Sequence, residues 1–203
     1  MKIRPLLVAG VLVGAAGMTA LTTQPRVEAT TAAVAESFST DPVHSSVVFR
    51  VGHLGVAVFW GRFNEVSGTF SHDAASPGAS SFSFTVKTAS VDTGNQQRDR
   101  HLQSADFFNA REYPEITFKS TRVTPAATNK LEVTGDLTLH GVTKPITAQI
   151  EILGAGETAQ GYKSGFEATF TIKRSDFGMT KYLENNAVGD EVRIIVAIEG
   201  KRG

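Results

Sequence analysis

Apolar residues recur at every second position through segment after segment of this chain, and many of them are Phe. Phe82, Phe84 and Val86 alternate with Ser81, Ser83, Thr85 and Lys87, while Phe166, Phe170 and Ile172 alternate with Glu167, Thr169, Thr171 and Lys173. Successive side chains of an extended strand point to opposite faces, so this period predicts strands with one apolar and one polar face. No long helix is legible that could cover such a sheet. The apolar face must therefore be hidden against the sheet itself.

Leu131, Val133, Leu137 and Leu139 share one face, and Ile146, Ala148, Ile150 and Ile152 continue it after a turn at His140-Gly141. Glu132, Thr134, Asp136 and Thr138, then Thr147, Gln149 and Glu151, make the wet face of an antiparallel sheet with one buried side. Strands are predicted near 37–40, 45–51, 64–70, 81–91, 115–123, 130–140, 145–153, 162–173 and 190–200. Turn signals fall at 71–73, 76–78, 92–94, 128–129, 140–141 and 154–156. A helix is predicted within 96–108 with Asn95 as its N-cap, and 175–186 reads as a long loop. Eight or so such strands can close into a barrel, which removes exposed edges; the pattern alone fits a β-sandwich equally well.

Gly135, Ala148, Ser120 and Ala168 sit among the large inward residues. Small residues there leave room for a ligand, which would be apolar and elongated, because nothing charged falls in the stripes. From the residue pattern alone, a dry, filled core stands ahead of a cavity.

The N-terminus has a different composition. Lys2 and Arg4 precede an uncharged, mostly apolar stretch from Pro5 to Leu21, followed by small residues with Val27-Glu28-Ala29 as a cleavage pattern. Residues 1–29 read as a secretory signal peptide cut after Ala29, with a cut after Ala35 as the alternative, and 30–36 as a flexible leader. Removing residues 1–29 takes three basic residues and one acidic one from the 20 of each sign, leaving 17 and 19. That balance argues against nucleic acid, and against an anionic membrane surface as the main partner. The absence of Cys excludes a disulfide framework and a lipid-modified cysteine anchor.

No nucleophile, phosphate-binding or dinucleotide motif is present. The His residues at 44, 53, 72, 101 and 140 are scattered and predict no metal site. The densest polar cluster is Arg98-Asp99-Arg100-His101, in which Asp99 and His101 could be imagined as a general base. An ion-paired helix face is the simpler reading, and a headgroup contact at a barrel mouth is a third. Phe107-Phe108 is predicted to plug the barrel beneath the helix, with Lys173-Arg174 and Asp176 as a second polar rim.

The order of several segments resembles the YceI family of polyisoprenoid-binding, lipocalin-like periplasmic proteins. These are Asp41-Pro42-Val43-His44-Ser45-Ser46-Val47-Val48-Phe49, Val51-Gly52-His53-Leu54-Gly55, Gly61-Arg62-Phe63 and Val91-Asp92-Thr93-Gly94. Arg98 through Phe108, Pro114-Glu115-Ile116-Thr117-Phe118, Gly135 through Pro145 and Asp176-Phe177-Gly178-Met179 follow. The resemblance spans roughly residues 37 to 202, with Ala57 and Phe59-Trp60 as local departures. It implies an all-β fold, an eight-stranded antiparallel lipocalin-like barrel with one or two short helices, over residues 37–203.

The resemblance also implies an apolar tunnel for a polyprenyl chain, a quinone or another amphiphile, with no catalytic residue and no required cofactor. The tunnel is expected to be lined by Phe49, Phe82, Phe84, Val86, Phe118, Leu137, Leu139, Ile150, Phe166, Phe170 and Ile172. Arg98, His101 and Arg174 are the candidate headgroup contacts. The expected function is that of a periplasmic or secreted lipid-binding protein whose partners are its ligand, a membrane touched transiently and a second copy in a homodimer. A lipid-modifying enzyme and a filled, partner-binding barrel are the alternatives.

Overall fold

The structure is a computed structural model that describes residues 35–203, together with Met1. The expected signal peptide and most of the expected leader lie outside the described residues.

Among the described residues, eleven strands and one α-helix follow in order: β1 (Glu36–Thr40), β2 (Ser46–His53), β3 (Ala57–Phe63), β4 (Val66–His72), β5 (Ser81–Lys87), β6 (Val91–Asp92), α1 (Gln96–Gln103), β7 (Glu115–Ala127), β8 (Lys130–Leu139), β9 (Val142–Thr158), β10 (Gly161–Lys173) and β11 (Val188–Arg202). All pairings are antiparallel, and they run β1-β4-β5-β7-β8-β9-β10-β11, with β11 returning to β1. That ring of eight strands closes the sheet and excludes the sandwich. β2, β3 and β6 extend β1, β4 and β5 beyond short breaks, so β11 pairs with β2 along Val188–Ala197 and with β1 near its end.

Inward alternation follows the sequence pattern closely. Leu131, Val133, Leu137 and Leu139 are buried between exposed or half-buried neighbours, as are Ala148, Ile150 and Ile152. The His140-Gly141 turn holds both residues at positive φ, 52° and 73°, the geometry favoured in two-residue hairpins.

Three expectations are corrected. A strand over Ala57–Phe63 was not predicted, because the run Val58-Phe59-Trp60 has no alternation. Gly154-Ala155-Gly156 is not a turn: β9 runs through it, pairing Gly154 with Gly165 and Gly156 with Lys163. Glu36, placed in the leader, opens β1 opposite His72. The helix expected within 96–108 spans Gln96–Gln103, and Asn95 caps it by accepting from the Arg98 N–H at 3.0 Å.

One end of the barrel is filled by packed Phe rings. Phe38 stacks on Phe70 at 5.0 Å between ring centres, and Phe70 and Phe82 both meet Phe166 edge-on at 5.1 and 5.3 Å. The opposite end carries the β2–β3 hairpin, α1 and the loop after it, the β8–β9 turn and the long connection from Arg174 to Ala187.

Candidate ligand-binding cavity

Between the Phe plug and the α1 end lies a cavity of about 190 Å³. Ladders of inward residues build its wall: Phe82, Phe84 and Val86 from β5, Leu137 and Leu139 from β8, Ala148 and Ile150 from β9, Phe166, Ala168, Phe170 and Ile172 from β10. Each residue named above for the tunnel, including Phe49 and Phe118, lies on this wall. The wall also contains Val47, Val51 and Phe63, and from β11 Val192, Ile194 and Val196. The β11 set was obscured in the sequence because Ile195 interrupts the alternation with an apolar outward residue.

The small residues divide into two kinds. Ala148 and Ala168 face the cavity. Gly135 does not give ligand space, because the Phe118 ring fills the position its β-carbon would take. Ser120 accepts from the Phe82 N–H at 3.0 Å, so its hydroxyl belongs to the sheet.

The cap is assembled from two loops. Leu102, Phe107 and Phe108 come from α1 and the turn after it, and Met179 from the β10–β11 connection. Phe108 sits edge-on to Phe63 at 5.4 Å. Asp106 ties the two loops together, accepting from His101 Nε2 at 2.9 Å and pairing with Lys181 Nζ at 3.2 Å. His101 and Lys181 together hold the Asp106 carboxyl below the usual carboxylate range. His140 Nδ1 donates to the Phe177 carbonyl at 2.9 Å, fastening the β8–β9 turn to the same connection.

Among the described residues, Arg174 is the one charged residue on the cavity wall, and it is 4% exposed. Its Nε donates to Gly189 O, Nη1 to Met179 O and Nη2 to Val188 O, each at 2.8 Å. Burial pushes its pKa down, and the Asp190 carboxylate opposes that shift. Asp190 itself accepts from the Ser175 N–H at 2.9 Å and hydroxyl at 2.8 Å. A guanidinium has five N–H groups, so two remain beyond the three backbone bonds.

The other candidate polar contacts lie apart from the wall. Arg98 is exposed, 4.0 Å over the Phe59 ring, and donates to Thr93 Oγ1 and O at 2.8 Å. Asp99 accepts from the Thr93 N–H and hydroxyl, while His101 turns to Asp106. The imagined Asp99–His101 pair is thus split between two separate hydrogen-bonding tasks. Asp176 pairs with Lys144 at 3.3 Å rather than with Arg174.

At the break between β1 and β2, Asp41, His44 and Glu199 converge. Lys163 and Lys201 already supply cations there, at 3.6 and 3.1 Å from Asp41, and Lys163 also bonds Glu199. Two ammonium groups answer the carboxylates, which makes this a structural ion cluster.

Residues 38–200 match the YceI-like domain family. A UPF0312 protein of Ectopseudomonas mendocina is 44% identical over 160 residues, 78% of this chain and 83% of the relative. Among solved structures, Burkholderia cenocepacia BcnA superposes with a TM-score of 0.72 at 28% identity, covering 79% of this chain and 98% of its own. A polyisoprenoid binding domain from Saccharophagus degradans superposes with a TM-score of 0.64 at 18% identity, covering 83% and 99%.

Proposed function

The chain belongs to the YceI-like domain family, and on that premise we propose that it is an exported protein that carries an elongated apolar lipid in its barrel. The observation that carries this reading is the cavity wall: beyond Thr117 and Arg174, the residues that line it are apolar. Such a wall offers a chain of hydrocarbon nothing to desolvate. Each buried methylene contributes about 0.8 kcal/mol, so one five-carbon isoprene unit contributes roughly 4 kcal/mol before the costs of association.

The shape favours a slim ligand. A cavity of about 150 Å³ takes up benzene, and this one is about 190 Å³. A tail of several isoprene units would therefore seat by turning half-buried rings such as Phe84, Phe118 and Phe170 aside. An isoprenoid is the ligand class to test first, because a solved protein of this fold is described as a polyisoprenoid binding domain. The polar end of a quinone or polyprenyl compound would lie at the capped end, accepting from the two further N–H groups of Arg174. The positive, apolar and small-residue order of residues 1–29 supports export to the periplasm or beyond. The separate engagements of Asp99 and His101 favour binding over catalysis.

Native mass spectrometry of protein purified from its own host tests this reading. The expected result is a lipid adduct that delipidation removes and that a quinone or polyprenyl probe restores, and Ala168→Leu should reduce that uptake while the barrel stays folded. No released lipid and no probe uptake by folded protein would overturn it. The same spectrum reads whether one barrel or a homodimer carries the ligand.

A further inference from the structure

The outer face of the β2–β3 hairpin is apolar where a barrel rim is ordinarily polar. Leu54 is 59% exposed, Val56 86%, Val58 44% and Trp60 47%. They are neighbours on one hairpin, so they form one patch rather than scattered surface residues. Arg50 lies directly opposite Trp60, and Arg193 directly opposite Arg50 on the next strand. Among the described residues, no carboxylate lies within ion-pair distance of either arginine. The acids at the patch edge already face cations across their strands: Asp92 faces Arg62 and Glu191 faces Lys173.

We propose that this hairpin docks the protein on an anionic lipid bilayer, its tip among the acyl chains and Arg50 and Arg193 on lipid phosphates. The levels fit that arrangement. Strand residues rise about 3.3 Å each, so Val58 stands roughly 7 Å beyond Trp60, with Val56 and Leu54 farther out on the turn. Apolar faces of interfacial elements sink about 5–10 Å into the headgroup and acyl boundary, and Trp favours the headgroup level. Trp60 and the two arginines therefore share the polar level while the aliphatic tip passes below it. The charge is local, which reconciles it with a chain whose acidic and basic residues balance overall.

A second copy fits this patch less well. A two-fold contact sets the patch on itself, so two arginines without acidic partners would meet the same two. The hairpin is also continuous with the cavity's capped end. The Leu54 N–H donates to the Ala187 carbonyl at 3.0 Å, and Val51 and Val188 beside it line the cavity. Docking there sets that end against the membrane. The proposal rests on the lipid-carrier reading for its purpose, but flotation requires no cargo, so the two can fail separately.

Residues 35–203 are suited to the test, because the strand pairs that close the ring lie within 36–202. Trp60 is the only Trp of the chain, so its fluorescence reports from the patch itself. With vesicles of phosphatidylcholine and phosphatidylglycerol, the protein should float and its emission should shift to the blue. With phosphatidylcholine alone, both effects should be much weaker. Val56→Asp with Val58→Asp should abolish flotation. Arg50→Glu with Arg193→Glu should weaken it by more than about tenfold, since each basic group near an anionic surface is worth about fivefold. Circular dichroism and probe uptake into the cavity should remain unchanged in both variants. Absence of flotation on anionic vesicles would overturn the proposal, as would undiminished flotation of the aspartate variant. A blue shift that grows with protein concentration without vesicles would also overturn it, assigning the patch to a second copy.

Discussion

Phe49 lays its ring across Gly61, the residue directly opposite it on the neighbouring strand, and takes the space that a β-carbon at Gly61 would need. An aromatic ring over a cross-strand glycine restores cover that the glycine lacks. Because Phe49 is also part of the cavity wall, Gly61→Ala should push its ring into the cavity. The expected cost is about 1–3 kcal/mol by urea unfolding, typical of an overpacked core. Combining Gly61→Ala with Phe49→Leu should cost less than the sum of the two single changes, since the residues touch.

Arg174→Ala leaves three carbonyls, that of buried Met179 and those of half-buried Val188 and Gly189, without their donor. Each orphaned acceptor costs about 1–3 kcal/mol, not additively, so a loss of roughly 3–5 kcal/mol is expected. Hydrogen exchange should quicken first in the connection between β10 and β11. Arg174→Lys should recover only part of the stability, because an ammonium lacks the planar fork that reaches three separate carbonyls.

Asp41 carries a pH signature. Burial pushes its carboxyl up, but hydrogen bonds from His44, Lys201 and the Val43 N–H outweigh that, and the net shift is well below the usual carboxylate range. A depressed folded-state pKa gives stability that is complete above the unfolded value, about 3.9, and lost as pH falls below it. Asp41→Asn should therefore lower the melting temperature most near pH 7. The gap to the unaltered protein should narrow steadily below about pH 4. A gap that is constant with pH would contradict the cluster's role.

Asp106 bridges His101 and Lys181, and hence the two halves of the cap. These are exposed pairs, so Asp106→Asn should change global stability very little. Its effect belongs in the rate of exchange: a fluorescent lipid probe should leave the cavity faster in Asp106→Asn. The unaltered protein should approach the variant's rate only in acid, below the ordinary carboxylate range, because the Asp106 pKa is depressed. An unchanged release rate would show that the cap opens elsewhere.

The barrel wall was legible because burial on one face of a closed sheet writes itself as a period of two. Phe82, Phe84 and Val86 announce β5, and the tunnel residues read from such stripes do line one cavity. What defeated the pattern was apolar character on the outer face. Val58-Phe59-Trp60 hid β3, and Ile195 hid the inward set of β11. Charge misled in the opposite direction. Arg174 read as a rim residue, yet it is buried, because the Met179 carbonyl in the connection and the Val188 and Gly189 carbonyls at the irregular start of β11 give it partners that sequence spacing does not show. Gly135 read as room for a ligand, and only the Phe118 ring shows that the room is taken.

β11 touches β10 on one side and both β1 and β2 on the other, and its Arg202 pairs with Glu36 across 166 positions of sequence. The other adjacent pairs in the ring join segments much nearer in sequence, the widest being β1 with β4 across β2 and β3, and β5 with β7 across β6 and α1. The meander can therefore zip locally, but the cylinder cannot shut until its final fifteen-residue strand has left the ribosome. Contacts of such wide separation are the slow ones in folding. The cavity is thus enclosed only when β11 arrives, and a chain cut short before β11 would be an open sheet with its Phe face bare.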